Sequence, residues 1–333
     1  MMKRFLPVLA LACLSLSPFN TSARADETGT AMAEAAQRFL GALDETHRAQ
    51  ASFAFDNPER FNWHWIPRPR NGLPIKELTA DQRALAFGLL NTGLSTKGVL
   101  KATTIMSYEE ILRVQEHGTG PVRDPELYYV SVFGTPGDQG EWGWRIEGHH
   151  LSLNFTLKDG KVVSATPFMF GSNPAKVKDG GRKGLRNLVE IEEPANALIT
   201  SLDDAQRKEA VVSEDVPDVT TTPNSARPEL PAPVGISTDK LNASQRALLT
   251  KFVSAYQVNF PEPIRNDLAD KLAKAPQTYH FAWYGAADPA KPHAFRLQGP
   301  ALYIDFNIKQ DEANHIHTFY RNTAGDFGLP SAN

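Results

Sequence analysis

An α+β protein is what this sequence predicts: a sheet-centred single globular body of two pseudo-repeated halves, each a helix followed by antiparallel strands. Three observations predict it. Apolar residues recur at helical spacing in some stretches and alternate at strand spacing in others. A helix start occurs twice, as Leu78-Thr79-Ala80-Asp81-Gln82-Arg83-Ala84-Leu85 and as Leu241-Asn242-Ala243-Ser244-Gln245-Arg246-Ala247-Leu248. A strand pattern also occurs twice. Arg145, Gly148, Leu151, Leu153 and Phe155 return at identical spacing as Arg296, Gly299, Leu302, Ile304 and Phe306.

The elements follow in order. Residues 1–25 read as a cleaved signal peptide. Lys3 and Arg4 precede a short apolar stretch, and Ala23-Arg24-Ala25 offers a small-x-small cleavage site. The stretch is short for a membrane span and contains Pro7 and Pro18. A lipidated Cys13 is an alternative, although Ala10-Leu11-Ala12-Cys13 is a poor box. Residues 26–210 form the first half. Met32, Ala35, Ala36, Phe39, Leu40 and Leu43 predict a helix over 30–51, followed by extended segments at 51–55 and 62–65. Thr79 caps a helix from Ala80, and another helix is predicted over 108–116. Strands are predicted at 128–133 and 142–157, the latter read as one run. Asp159-Gly160 then turns the chain into a strand over 162–170. Helices follow at 185–201 and 203–212. Residues 211–235 hold five prolines and read as an irregular connection, either a linker or a surface crossover. Residues 236–333 form the second half.

Composition narrows the function. Removing the first 25 of 333 residues leaves 308 and takes away Lys3, Arg4 and Arg24 but no acids, so the net charge of −3 becomes about −6. That balance excludes a nucleic-acid binder, which needs a basic field. No later apolar run suits a membrane span. Cys13 is the only cysteine and leaves with the signal, so disulfides and thiolate chemistry are excluded. Any metal falls to His, Asp, Glu or Asn. The expected location is exported, periplasmic or secreted.

Four of the nine histidines lie in two short segments, His149-His150 and His315-Ile316-His317. Strand residues two apart point the same way, so His315 and His317 can reach one ion. Read as strand residues, His149 and His150 face opposite ways, and parity selects His150. This gives a metal set of His150, His315 and His317, with Asp305 or Asn154 as a fourth or supporting group. The plainer alternative is a set of histidines hydrogen-bonded in a polar groove without metal. Arg145 suits an anionic substrate group, and Glu147 is a possible general base off the His150 face. Arg296 occupies the place equivalent to Arg145. For both arginines an ion pair with a neighbouring acid is the competing reading. Trp144 and Trp283 suit a ligand cleft or, alternatively, the core.

Trp142-Gly143-Trp144-Arg145, the run Gly148 to Asn154, His315-Ile316-His317, Arg321 and Asp326-Phe327-Gly328 resemble the domain of unknown function 3500 family. Asn71-Gly72-Leu73 and Phe133-Gly134 fit the same pattern. The resemblance covers most of the chain after the signal. It implies an exported, bacterial protein and supplies no reaction or cofactor. The leading expectation is a metal-dependent hydrolase using a divalent transition metal such as zinc on a small-molecule substrate. The rival is a non-catalytic protein that binds a small ligand or metal in the periplasm. A structural envelope protein ranks third.

Overall fold

The computed structural model describes residues 21–218, 225–276, 278–288 and 290–330. Residues 1–20 of the expected signal peptide and 219–224 of the Pro-rich connection lie outside them. The helices are α1 (Thr21–Gly41), α2 (Glu45–Ala51), α3 (Ala80–Gly93), α4 (Thr96–Gln115), α5 (Val189–Ser201), α6 (Asp204–Ala210), α7 (Ala243–Gln257) and α8 (Glu262–Lys274). The strands of the first part are β1 (Ser52–Phe53), β2 (Leu73–Pro74), β3 (Tyr129–Phe133), β4 (Glu141–Gly148), β5 (Leu151–Lys158), β6 (Lys161–Ser164) and β7 (Phe168–Ser172). Those of the second are β8 (Val211–Ser213), β9 (Ile236–Ser237), β10 (His280–Gly285), β11 (His293–Gln298), β12 (Tyr303–Lys309) and β13 (His315–Arg321).

All these strands join one open sheet in a single globular body. Its path runs β1-β3-β4-β5-β7-β13-β12-β11-β10-β8, with β2 on β3, β6 on β5 and β9 on β10. The repeated strands β5 and β12 do not adjoin; β7 and β13 pair between them. Each repeated helix start carries a reciprocal cap, Thr79 with Gln82 and Asn242 with Gln245. The long first helix breaks at 42–44, where Asp44 accepts from the His47 amide and starts α2. The helix expected over 108–116 begins much earlier, at the Ser95 cap. None of the described helices is long and apolar enough to cross a membrane.

Strand parity divides the sheet into two unlike faces. Val132, Trp144, Ile146, Leu153, Phe155, Phe168, Ile304, Phe306 and Trp283 form a buried apolar face. The helices pack there: Gly93 of α3 lies against Trp144 and Phe155, and Phe252 of α7 packs on Phe281 and Phe295. The other face carries Arg145, Glu147, Asn154, Thr156, Asn307 and Arg321, yet these are buried too. Irregular segments cover them and supply the partners that buried polar groups need. The Glu59 carbonyl accepts from Arg145, Phe327 from Thr156, Pro217 from Asn307 and Ser225 from Arg321. At mid-sheet the cover turns apolar, with Trp63 and Trp65 against Met169 and Phe319. The rings of Trp65 and Phe319 lie edge to face at 4.6 Å.

Candidate metal centre

β4 and β5 are joined by a two-residue turn, His149-His150, and do not form the single strand read from the sequence. His150 adopts a left-handed conformation at φ 61°. Three contacts fix it. Its amide donates to the Trp65 carbonyl at 2.8 Å, and its carbonyl accepts from the Gly171 amide at 2.7 Å. Its ring lies so close to Gly171 that a Cβ there would stand 2.7 Å from the ring. Strand parity selected His150, but it is this turn that sets the direction of its ring. His149 and His150 sit side by side with ring centroids 3.8 Å apart.

His315 and His317 lie on β13, which pairs with β7 through His317 and Gly171. This pairing brings them to the His150 turn. Nε2 of His150 is 2.9 Å from Nε2 of His315 and 3.2 Å from Nε2 of His317. One ligand nitrogen from each of the three lies within 4.8 Å of the others. Nitrogens bound to a tetrahedral zinc at about 2.0–2.1 Å are about 3.3 Å apart, so the two short edges suit a shared ion. Burial holds His150 and His317 well toward the neutral form, His317 down to about 3, and neighbouring imidazoles reinforce the shift. His315 is lowered by burial, with Asp311 opposing. Neutral imidazole is the form that binds metal.

A tight turn before β13 orients His315. Asp311, Glu312 and Ala313 are all left-handed, at φ 55°, 57° and 60°. That conformation costs L-residues roughly 1–2 kcal/mol each. It carries the Asp311 carboxylate to Nδ1 of His315 at 3.1 Å, while Asn173 donates to the same carboxylate at 3.3 Å. A carboxylate on the far nitrogen fixes the tautomer and leaves Nε2 able to accept a metal ion.

His149 faces a different partner. Its Nδ1 is bonded to Glu109 of α4, and Arg123 reaches the same nitrogen at 3.1 Å. Arg123 is in turn paired with Glu116 at 2.7 Å. His149 and Glu109 line a cleft of about 390 Å³, with Arg68, Arg70, Val122 and Tyr128 among its walls.

The other residues selected from the sequence stand apart from the three histidines. Arg145 is an ion-paired core residue: it donates to Glu59 Oε1 at 2.6 Å and lies 3.3 Å from Glu147. Glu147 also accepts from the His64 amide at 2.9 Å and approaches Arg70 at 3.7 Å; burial raises its pKa. Asn154 donates to Pro167 and Ser152. Asp305 is outside the ligand cluster; it accepts from Tyr303 at 2.9 Å and faces Arg296 at 3.9 Å. Arg296 stacks on Tyr284 and Tyr303. Trp144 stacks on Phe155, and Trp283 on His293 and Phe295, all toward the helices. Sequence reasoning missed Glu109, Arg123, Asp311 and Gly171. It set His149 aside on strand parity, applied across a turn that Gly148 alone could have suggested.

No curated protein and no solved structure matches the chain. A family model does match, over residues 25–329. The motifs around both histidine segments fall within that span, and the chain belongs to the family described as "Protein of unknown function (DUF3500)".

Proposed function

We propose that this is an exported metal-dependent hydrolase acting on a small molecule, with His150, His315 and His317 as the ligands of a divalent ion such as zinc. The observation that carries it is the convergence of three imidazole nitrogens within 4.8 Å. Among the described residues no fourth His, Cys, Asp or Glu joins them. Three protein ligands with one position left for water is the pattern of catalytic zinc, whereas a structural site is closed. A bound ion supplies a Lewis acid that lowers the pKa of coordinated water.

The protein's own groups complete the chemistry in this reading. Glu109 holds Nδ1 of His149, which leaves Nε2 to accept a proton and later return it to the leaving group. Asp311 orients His315. Arg145 and Glu147 hold the loop over the site and do not touch substrate. Arg296, Asn154 and Asp305 stabilise the polar face further along the sheet, and Trp144 and Trp283 fill the core. Export rests on the sequence of residues 1–25.

The two-halves reading is kept as part of the proposal. Matching strand partners support it: β1 pairs parallel with β3 as β8 does with β10, and β2 and β9 pair antiparallel with the same two strands. In this reading α5, packed on α7, and α6, beside β8, go with the second half, and the boundary between halves falls between β7 and α5.

The test is hydrolysis of a panel of activated esters and phosphoesters by the metal-loaded, chelated and reloaded protein. Activity lost on chelation, restored by metal and reduced in Glu109→Gln at unchanged metal content is the expected pattern. Hydrolysis indifferent to chelation contradicts it, and tight metal binding without turnover favours the capture protein.

A further inference from the structure

The cleft beside His149 has the size and lining of a ligand site. Its volume of about 390 Å³ is in the range of small-molecule sites. Much of its wall is apolar or aromatic: Pro67, Pro121, Val122, Leu127, Tyr128 and Tyr129. Val122 at 74% exposure and Ile66 at 46%, next to Pro67, are among the few large apolar side chains the protein leaves to solvent. Exposed apolar surface gathered at a cleft is a mark of ligand binding.

Most charges in the cleft are already matched. Asp124 is paired with Lys76 at 2.6 Å. Glu109 is bonded to His149. Arg70 is buried and donates to the carbonyls of His64, Ile66, Arg68 and Gly148. Arg68 differs. It is exposed, its Nε donates to the Pro69 carbonyl at 3.2 Å, and Nη1 meets His64 Nε2. No carboxylate among the described residues pairs with it. The cleft therefore presents one cation without a counter-ion, beside apolar walls and the His149–Glu109 pair.

We infer that the substrate is a small molecule with an apolar body and one anionic head, a carboxylate or a phosphate, and that Arg68 receives the head. The planar guanidinium matches either oxyanion. This inference rests on the hydrolase reading, in which His149, a wall of this cleft, moves the proton beside the three clustered histidines.

Ligand-observed NMR on the zinc-loaded mature protein tests it with three probes of similar body: benzoate, phenyl phosphate and neutral benzamide. At least one anion binds better than benzamide, and Arg68→Gln weakens that anion about tenfold or more, the scale of a lost charge-assisted hydrogen bond. The amide is unaffected. Benzoate against phenyl phosphate identifies the head. Arg68→Lys keeps the charge and restores part of the binding. Benzamide binding as well as both anions, equal anion binding by Arg68→Gln, or no anion binding at millimolar concentration overturns the inference. Zinc content of the same samples separates the two claims. Arg68-dependent anion binding without zinc sinks the hydrolase and leaves the anion site. Full zinc with Arg68-independent binding sinks the anion site alone.

Discussion

Gly171→Ala asks whether the histidine geometry governs metal binding. Gly171 sits on β7 opposite His317, and its φ is not in the left-handed range, so alanine is acceptable to the backbone. The obstacle is space. The new methyl would lie 2.7 Å from Cγ and Cδ2 of His150, where ordinary contacts begin at 3.4 Å. The ring must retreat by roughly 0.7 Å, while a metal site tolerates errors of about 0.2 Å. The ring has little room to retreat. The His149 ring lies at 3.8 Å, and the His150 backbone is bonded to Trp65 and Gly171. We expect overpacking to cost about 1–3 kcal/mol of stability. Metal affinity should fall by about tenfold to a hundredfold, the scale of a disturbed supporting shell. Competition titration of zinc against a chromogenic chelator reads the affinity, and thermal unfolding of the apoprotein reads the stability. A folded Gly171→Ala variant that binds zinc as tightly as the parent would refute the argument that these three nitrogens form the site.

Three further expectations follow from the same geometry. Asp311→Ala removes the carboxylate behind His315 and should lower zinc affinity about tenfold to a hundredfold, measured in the same titration; an unchanged affinity detaches Asp311 from the site. Arg145→Met strands Glu59 and Glu147 in a buried place and should cost about 3–5 kcal/mol in urea unfolding, with zinc retained by the folded fraction; a cost below about 1 kcal/mol denies the buried ion pairs their weight. The pH dependence of the apoprotein has a defined sign. His317 titrates near 3 when folded and near 6.5 when unfolded, so the unfolded chain takes up the proton first. Stability from this group is complete above pH 6.5 and falls with pH toward its folded value, by roughly 1–2 kcal/mol at pH 5. Comparing parent with His317→Gln isolates it: the variant should lose less stability between pH 7 and 5, and a steeper loss contradicts the buried neutral histidine.

Much of the candidate site could be read in the sequence because its histidines are carried by short-range signals. His315 and His317 share a strand face by period alone, and the clustering of histidines marked the segments. The pairing of β7 with β13, which delivers that strand to His150, has no local signature. The turn at His149-His150 was hidden inside two alternating runs, so parity was applied across a bend where it has no meaning. Glu109 and Arg123 reach His149 from outside the sheet, a contact that only tertiary packing makes. The polar face misled in another way. Arg145, Glu147, Arg296 and Asp305 have the chemistry of a site, but the irregular segments 54–71, 214–218 and 225–235 bury much of that face and largely occupy its hydrogen bonds. The helix starts were legible because capping boxes are local, whereas the early start of α4 at Ser95 was not marked by a strong apolar period.

Metal content decides the matter most directly. The untagged protein, purified without chelator, is compared by elemental analysis with a His315→Ala/His317→Ala variant. One equivalent of a divalent transition metal in the parent and none in the folded variant is the expected result. Absence of metal from the parent, even after incubation with zinc, copper, manganese and iron in turn, would contradict the metal centre and the hydrolase built on it.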